Sequence, residues 1–345
     1  MTHNLMPRGK REMLACGLLR SGFHFMLSQI PVRDSLMVLD YHRVGDAEAD
    51  AFDPGVFSTT GEQFDEEISY LKRNYTLVTL EEALAPPERT SQGKTRRSRV
   101  LITFDDGYRD NYDIAFPILR SHGVPGVFFL CTGLIGSSYV PWWDRIASVM
   151  RTAQERRFTL RYPGELVVDL DQEELDKNLR TVLREYKRPD NTDQERFIRE
   201  LKEAARGEEA PVALRLFLSW DEAREMIRGG MVIGSHTVSH HILSQLTPEQ
   251  QFEEITNSRA TLKAELGVEI DALAYPVGSK YSFSELTQKL AQEAGYRAAF
   301  SYYGGTNHAG EINPYDIKRV HVELQSFTRF QVQLGMCRLT GKCWP

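Results

Sequence analysis

Short apolar runs recur along the chain, and most are separated by segments with helical spacing. LMVLDY at 36–41, VLITF at 100–104, GVFFLC at 126–131, MVIGS at 231–235, DALAY at 271–275, RAAFS at 297–301 and IKRVHV at 317–322 predict strands, with a further one at 75–79. Most of these runs are apolar without alternation, as expected of strands covered on both faces. The segments between them carry helix-end signals. Thr60 with Gln63 predicts a capping box, with Phe64, Ile68 and Leu71 on one face behind it. Ser219 with Glu222 opens a helix that stops at Gly229-Gly230. Thr247, Pro248 and Gln250 open another, with Phe252, Ile255, Leu262 and Leu266 as its stripe and Gly267 as its end. Ser284 opens one that closes at Gly295. This alternation predicts an α/β fold with a parallel sheet, open or closed as a barrel.

Two regions break the pattern. PPERTSQGKTRRSR at 86–99 is polar, turn-rich and basic, and reads as a solvated loop. Residues 151–210 are highly charged and read as an inserted helical subdomain, with outer limits near 145 and 215. Ahead of the first strand, residues 1–35 read as an amphipathic segment. Arg20 and His24 interrupt its apolar stretch at 12–30, which is too short of apolar residues for a spanning helix and a poor signal peptide. It is expected to pack on the domain or to touch a membrane surface peripherally. Residues 331–345 read as a C-terminal tail.

Composition narrows the class. In 345 residues, 41% are apolar and 26% charged, and the net charge is −6. That describes a soluble globular chain and argues against nucleic acid as a partner. Cys16, Cys131, Cys337 and Cys343 form no CxxC pair. They read as reduced thiols of a cytoplasmic chain, with a Cys337–Cys343 bridge expected only after export. The cytoplasm, at or near the inner membrane face, is the expected location. The sequence does not fix the oligomeric state.

Polar residues then collect where the strands end. Asp105 and Asp106 follow strand 100–104, His236 and His240 follow 231–235, His42 follows 36–41, and Tyr275 and Pro276 close 271–275. Parallel α/β folds place ligands at that face. Adjacent carboxylates repel, so stability alone would not select Asp105-Asp106. If the chain turns helical after strand 231–235, His236 and His240 share one face. They would then hold either a divalent ion or one another as a hydrogen-bonded structural pair. The aspartates favour the ion: Asp106 would ligate, and Asp105 would take a proton from an activated water. His42 and His321 are the two candidates for the acid. Trp142 and Trp143, in VPWWDRI, would either line the site and exclude water from it or pack the inserted helices. Asp144 would either bind a hydroxyl or pair with Arg145 or another base.

TFDDG with HTVSH resembles the polysaccharide deacetylases, the NodB-homology or carbohydrate esterase family 4 group, over roughly residues 36–325. The resemblance implies a deformed (β/α) barrel of about seven strands, taken here as 36–330. It also implies hydrolysis of an N-acetyl group on an amino-sugar polymer, oligosaccharide or lipid-linked precursor. Asp105 becomes the base, and Asp106, His236 and His240 become ligands of one divalent ion, zinc by donor type. The backbone N–H of Tyr108 becomes an oxyanion donor. Two features depart from the pattern. LAYPVG has no Arg before Pro276, which leaves Arg319 as the substitute, and the late Leu-x-His motif is missing. The opening YHRVG resembles a subgroup acting on poly-N-acetylglucosamine-type exopolysaccharides, whose acid histidine comes from an early strand; that favours His42 over His321. The other readings are a carbohydrate-binding protein with a degenerate site and a hydrolase of another C–N bond.

Overall fold

The computed structural model describes residues 35–50, 52–85, 98–209, 215–308 and 312–342, with residue 17. The amphipathic segment expected before the first strand, most of the basic loop, Cys16 and Cys343 lie outside the described residues.

Seven strands carry the architecture: β1 (Ser35–Tyr41), β2 (Arg99–Phe104), β3 (Val127–Leu130), β4 (Val232–Ser235), β5 (Ala272–Ala274), β6 (Ala298–Phe300) and β7 (Val320–His321). They lie in the order β6-β5-β4-β3-β2-β1, all parallel. β7 pairs with β1, and Ile317 bridges Phe300 of β6. Segment 317–321 therefore closes the ring, and the expected deformed barrel of about seven strands is what the chain forms. This last run is not one continuous strand. Its pairing passes from β6 to β1 at Lys318, whose backbone N–H and C=O are taken by the Asn307 side chain instead.

Period-two alternation explains why the strands look apolar throughout. Leu36, Val38, Leu101, Phe129, Ala274, Phe300 and Ile317 point inward and form a cluster of their own. Alanines from β5 and β6 leave room for Phe129 and Phe300, whose rings lie 5.3 Å apart. The intervening residues, such as Met37, Leu39, Ile102 and Phe128, face outward into the larger helix-covered core. At the N-terminal end, Val78, Leu80 and Ala83 stopper the barrel.

Among the described residues ten helices surround it: α1 (Gly61–Asn74), α2 (Leu80–Leu84), α3 (Phe116–His122), α4 (Trp142–Arg151), α5 (Leu175–Tyr186), α6 (Gln194–Ala205), α7 (Trp220–Arg228), α8 (Pro248–Leu266), α9 (Glu285–Glu293) and α10 (Phe327–Thr340). Full capping boxes form at Ser219, Thr247 and Ser284, and an unexpected one at Thr79. At Thr60 only half the box forms. Its hydroxyl accepts from Gln63 N–H, but the Gln63 side chain turns to the buried carboxylate of Glu67. The buried stripe of α8 is Gln251, Ile255, Ser258 and Leu262. Phe252 lies one position off that face and is exposed.

Two expected boundaries shift. The insertion between β3 and α7 comprises α4, α5 and α6 but also a hairpin, Arg157–Leu160 against Leu166–Asp169. The expected tail is mostly helix: α10 runs from 327 to 340 and buries Phe330, Val332 and Leu334, with Phe330 meeting Tyr70 of α1. No helix among the described residues is long and apolar enough to cross a membrane.

Candidate active site

The inward positions of the barrel become polar at its C-terminal end. On β1, Leu36 and Val38 are followed by Asp40; on β2, Leu101 is followed by Thr103 and then Asp105; on the last segment, Ile317 is followed by Arg319. All four polar side chains are buried. Arg319 lies 5.6 Å from the centre of the Phe129 ring, on top of the apolar filling. Its two terminal nitrogens donate to Asp105 Oδ1 and Oδ2 at 2.7 Å each, and Nη1 is also 2.8 Å from Asp40 Oδ1. One cation thus stands between two carboxylates. Burial drives both carboxyl pKa values upward. At Asp105 the Arg319 fork overrides burial and holds the group well below the usual carboxylate range. Asp40, with less help from Arg319 and with Asp105 nearby, stays well above it.

Asp106 takes a different direction from its neighbour because its backbone does. It adopts φ 72°, in the left-handed region that non-glycine residues rarely visit. Gly107 follows at φ 82°, where a Cβ would meet Ile135 and Leu130 side chains at 2.8 and 2.9 Å. The turn swings Asp106 Oδ1 to 3.5 Å from His236 Nε2 and 3.4 Å from His240 Nε2. Asp106 Oδ1 is buried and has no hydrogen-bond partner. Burial, with Asp105 and Asp144 adding like charge, raises the Asp106 pKa well above normal.

The expected helical turn at HTVSH does not form. Residues 236–242 are irregular, and Thr237 and His240 have φ 66° and 58°. Neighbours fix this backbone instead. Thr132 N–H donates to Thr237 O, Gly133 N–H to Val238 O at 2.7 Å, and Cys131 Sγ to the same carbonyl at 3.0 Å. A Cβ at Gly133 would sit 2.6 Å from Val238 O, so only glycine allows that approach. From α8, Glu254 accepts from Val238 and Ser239 N–H at 2.9 and 3.0 Å. Burial pushes the Glu254 pKa up, but these donors together with Ser239 and His241 bring it down to about 2. His236 Nδ1 lies 2.8 Å from Ala274 O, which makes Nδ1 the protonated nitrogen and turns the Nε2 lone pair toward Asp106.

These donors suit a divalent ion. At metal–ligand bonds of about 2.0–2.1 Å, a tetrahedral site has ligand–ligand edges of roughly 3.3 Å. The observed 3.4 and 3.5 Å edges, the partnerless Asp106 oxygen and the two imidazole nitrogens match that requirement. The second carboxylate stays near the group: Asp105 Oδ2 is 3.7 Å from His236 Nε2.

The cluster opens into a cavity of about 630 Å³. His42, Trp142, Trp143 and Tyr275 line it. Burial drives the His42 pKa down to about 4, although Asp105 opposes the shift. Tyr302 stands between His42, at 5.5 Å, and His321, at 4.1 Å; His321 itself does not reach the cavity. The tryptophans both line the cavity and pack. Trp142 stacks on Tyr186 of α5 at 4.3 Å, and the Trp143 ring meets His240 at 4.6 Å. Tyr275 stacks on Phe283 and donates to Tyr315 O. Pro276 is buried outside the cavity lining.

Asp144 differs from expectation. Asp144 neither lines the cavity nor pairs with Arg145, which binds Glu195 and Glu209. It is buried, accepts from the Tyr108 hydroxyl at 3.1 Å and from Asp53 N–H, and burial raises its pKa to about 7. The Tyr108 ring is buried against Phe217 and does not line the cavity. Its backbone is arranged otherwise. The flanking bonds, Arg109 N–H to Leu216 O and Leu218 N–H to Gly107 O, leave the Tyr108 N–H pointing away from segment 216–218.

Sequence reasoning missed Asp40, Glu254 and a cationic row on α5. Asp40 could have been found by alternation, as the inward position before His42. Glu254 carries no local signal, because its role depends on α8 docking beside the HTVSH loop.

The model of the family described as polysaccharide deacetylase matches residues 92–299, more than half of the chain. A Bacillus subtilis (strain 168) protein, YxkH, whose name assigns it provisionally to the polysaccharide deacetylases, is 22% identical over 263 residues, covering 76% of this chain and 62% of its own length. The poly-beta-1,6-N-acetyl-D-glucosamine N-deacetylase of Staphylococcus epidermidis is 31% identical over 118 residues, covering 31% of this chain and 39% of that protein. The chain thus spans less than two thirds of the length of either relative. Among solved structures, IcaB from Ammonifex degensii superposes with a TM-score of 0.55 at 21% identity, over 88% of this chain and 97% of that one. That likeness shows a shared fold. With the family match spanning the aspartate pair, the histidine loop and the chain from β2 into β6, five of the seven barrel strands, the chain belongs to the polysaccharide deacetylase family.

Proposed function

We propose that the protein is a metal-dependent hydrolase that removes N-acetyl groups from an amino-sugar polymer, oligosaccharide or lipid-linked glycan precursor. One observation carries the reading: Asp106 Oδ1 lies 3.5 and 3.4 Å from the Nε2 atoms of His236 and His240, with a separately held carboxylate, Asp105, beside them in one cavity. The relative named as a poly-beta-1,6-N-acetyl-D-glucosamine N-deacetylase supports the substrate class.

In this reading Asp106 Oδ1, His236 Nε2 and His240 Nε2 hold the ion, zinc by donor type. When bound, the ion supplies Lewis-acid polarisation of the acetyl carbonyl and lowers the pKa of water. Asp105 keeps its charge at neutral pH under Arg319 and takes the proton of the attacking water. The Tyr108 N–H donates to the oxygen that becomes negative at the acetyl carbon. His42 is neutral at rest, so the proton it delivers to the leaving amine is the one Asp105 takes from the water and passes to it across the site. Trp143 holds His240 in place and closes the cavity beside it.

The degenerate-site alternative rested on the missing arginine before Pro276. With Arg319 bidentate on Asp105, that encouragement is gone. The test is acetate release from β-1,6-linked N-acetylglucosamine oligomers and chito-oligosaccharides, with and without chelator. Wild type should release acetate only with metal. Asp105→Asn should lose about 10²–10⁴-fold in kcat and retain metal, whereas His236→Ala should lose both. Full activity in Asp105→Asn would refute the assignment.

A further inference from the structure

Helix α5 of the insertion turns one face to the catalytic cavity, and that face is cationic. Arg180, Arg184 and Lys187 succeed one another at i, i+4 and i+7, and all three line the cavity. Side chains at that spacing share a stripe, here extending about 10 Å along the axis.

None of the three has a carboxylate partner at ion-pair distance among the described residues. Elsewhere in the same subdomain Arg145 pairs with Glu195 and Glu209, Arg156 with Asp171, Lys177 with Glu173, and Arg188 with Glu185 and Asp190, while Arg151, Arg161, Arg196 and Arg199, which have no carboxylate partner either, do not line the cavity. The row stands on a chain of net charge −6, where acidic partners are plentiful. Mutual repulsion along one helix face is unfavourable, and it is opposed only in part, at Lys187, by the nearby charges of Asp53 and Asp106. Lys187 is braced 5.7 Å from the Trp142 ring, which fixes it at the cavity wall.

Two of the carboxylates facing this region have other partners. Asp53 caps Gly55 N–H, and Asp106 faces the histidines. Glu323 also lines the cavity. Asp176, one turn before Arg180, is the one acidic residue that continues the stripe.

We propose that this row binds an anionic group carried by the substrate, so that the acetylated sugar is presented with a phosphate or a carboxylate on a neighbouring unit. The inference rests on the deacetylase reading and narrows it from amino-sugar glycans in general to negatively charged ones. Two guanidinium forks suit either oxyanion, each able to donate two parallel hydrogen bonds, and Lys187 adds a point charge. A neutral homopolymer has nothing to place against three cations.

The experiment compares acetate release by the metal-loaded chain from three probes of matched length. These are a neutral β-1,6-linked N-acetylglucosamine oligomer, an oligosaccharide alternating N-acetylglucosamine with glucuronate, and N-acetylglucosamine carried on a short-chain polyprenyl diphosphate. At low ionic strength at least one anionic probe should exceed the neutral one by tenfold or more in kcat/KM, and that advantage should shrink as salt is added. Which anionic probe leads identifies the source of the charge. In Arg180→Gln/Arg184→Gln/Lys187→Gln, three exposed positions, the anionic-to-neutral ratio should collapse toward one. Calorimetric binding of the leading probe to Asp105→Asn, with and without the triple change, should show the same loss without turnover. Release from the neutral oligomer with no anionic advantage, or an advantage that survives the triple change, would overturn this inference alone. Release from none of the probes would overturn the deacetylase reading and this inference together.

Discussion

Asp105 and Asp106 are adjacent in sequence and differ in everything the fold supplies. Asp105 continues the inward register of β2 and is captured by Arg319, while Asp106 is turned by its positive φ toward two imidazoles. Their repulsion is divided between a guanidinium and a site shaped for a cation. Arg319 consequently holds two buried carboxylates at once. Replacing it with methionine leaves both unpaired, and Arg319→Met should cost about 3–5 kcal/mol in denaturant unfolding at neutral pH. The sign with pH follows from the lowered Asp105 pKa. Its contribution is present above the unfolded carboxyl pKa, about 4, and is lost as pH falls toward the lower native value. The gap between wild type and Arg319→Met should therefore narrow in acid. Arg319 was legible only as a guess from the sequence, because 214 residues separate it from Asp105.

Among the elements, α1 carries a buried carboxyl with the opposite sign. Glu67 accepts from Tyr41, Thr59 and Gln63, yet burial outweighs these donors and raises its pKa from 4.5 to about 7. Between those values the unfolded chain has ionised and the native one has not, so stability falls as pH rises. Glu67→Gln removes that penalty. Its stability relative to wild type should rise from pH 5 to pH 8, by an amount on the order of 3 kcal/mol, read from denaturation curves at each pH. The histidine loop gives a second element-scale prediction. Gly133→Ala forces Val238 O away from a 2.6 Å approach and so disturbs the backbone that aims His240. Metal affinity should drop about 10–100-fold, measured by competition with a chelating dye, while the far-ultraviolet spectrum stays native. Helix caps and strand positions were readable because they depend on neighbours in sequence. The non-helical HTVSH loop was not, because its conformation is imposed by segment 131–133 and by Glu254.

At the scale of the whole molecule, the candidate ion site joins the ends of two non-adjacent strands of the barrel, β2 and β4. Asp106 has a raised pKa and a partnerless oxygen, so the metal-free protein bears an unfavourable buried carboxyl. A bound ion at 100 times its dissociation constant adds about 2.7 kcal/mol of stability. Chelator should therefore lower the thermal midpoint by a few degrees, and zinc should restore it, whereas Asp106→Asn should make the midpoint insensitive to both. The insertion acts on the same scale: it brings Trp142, Trp143 and the α5 cations to a barrel that has none of them in its own strands.

By itself the sequence determined the strand-and-helix alternation and the gathering of Asp105, Asp106, His42, His236 and His240 at strand ends. Each of these follows from periodicity or from short-range capping and turn chemistry. Only the tertiary structure decided which residues meet. Closure of the ring by segment 317–321 brought Arg319 between Asp40 and Asp105, and kept His321 out of the cavity while His42 entered it. Docking of the insertion decided that Asp144 is a buried acceptor and that three cations face the site. Such contacts depend on where chain segments far apart in sequence come to rest, and no local pattern of residues encodes that distance.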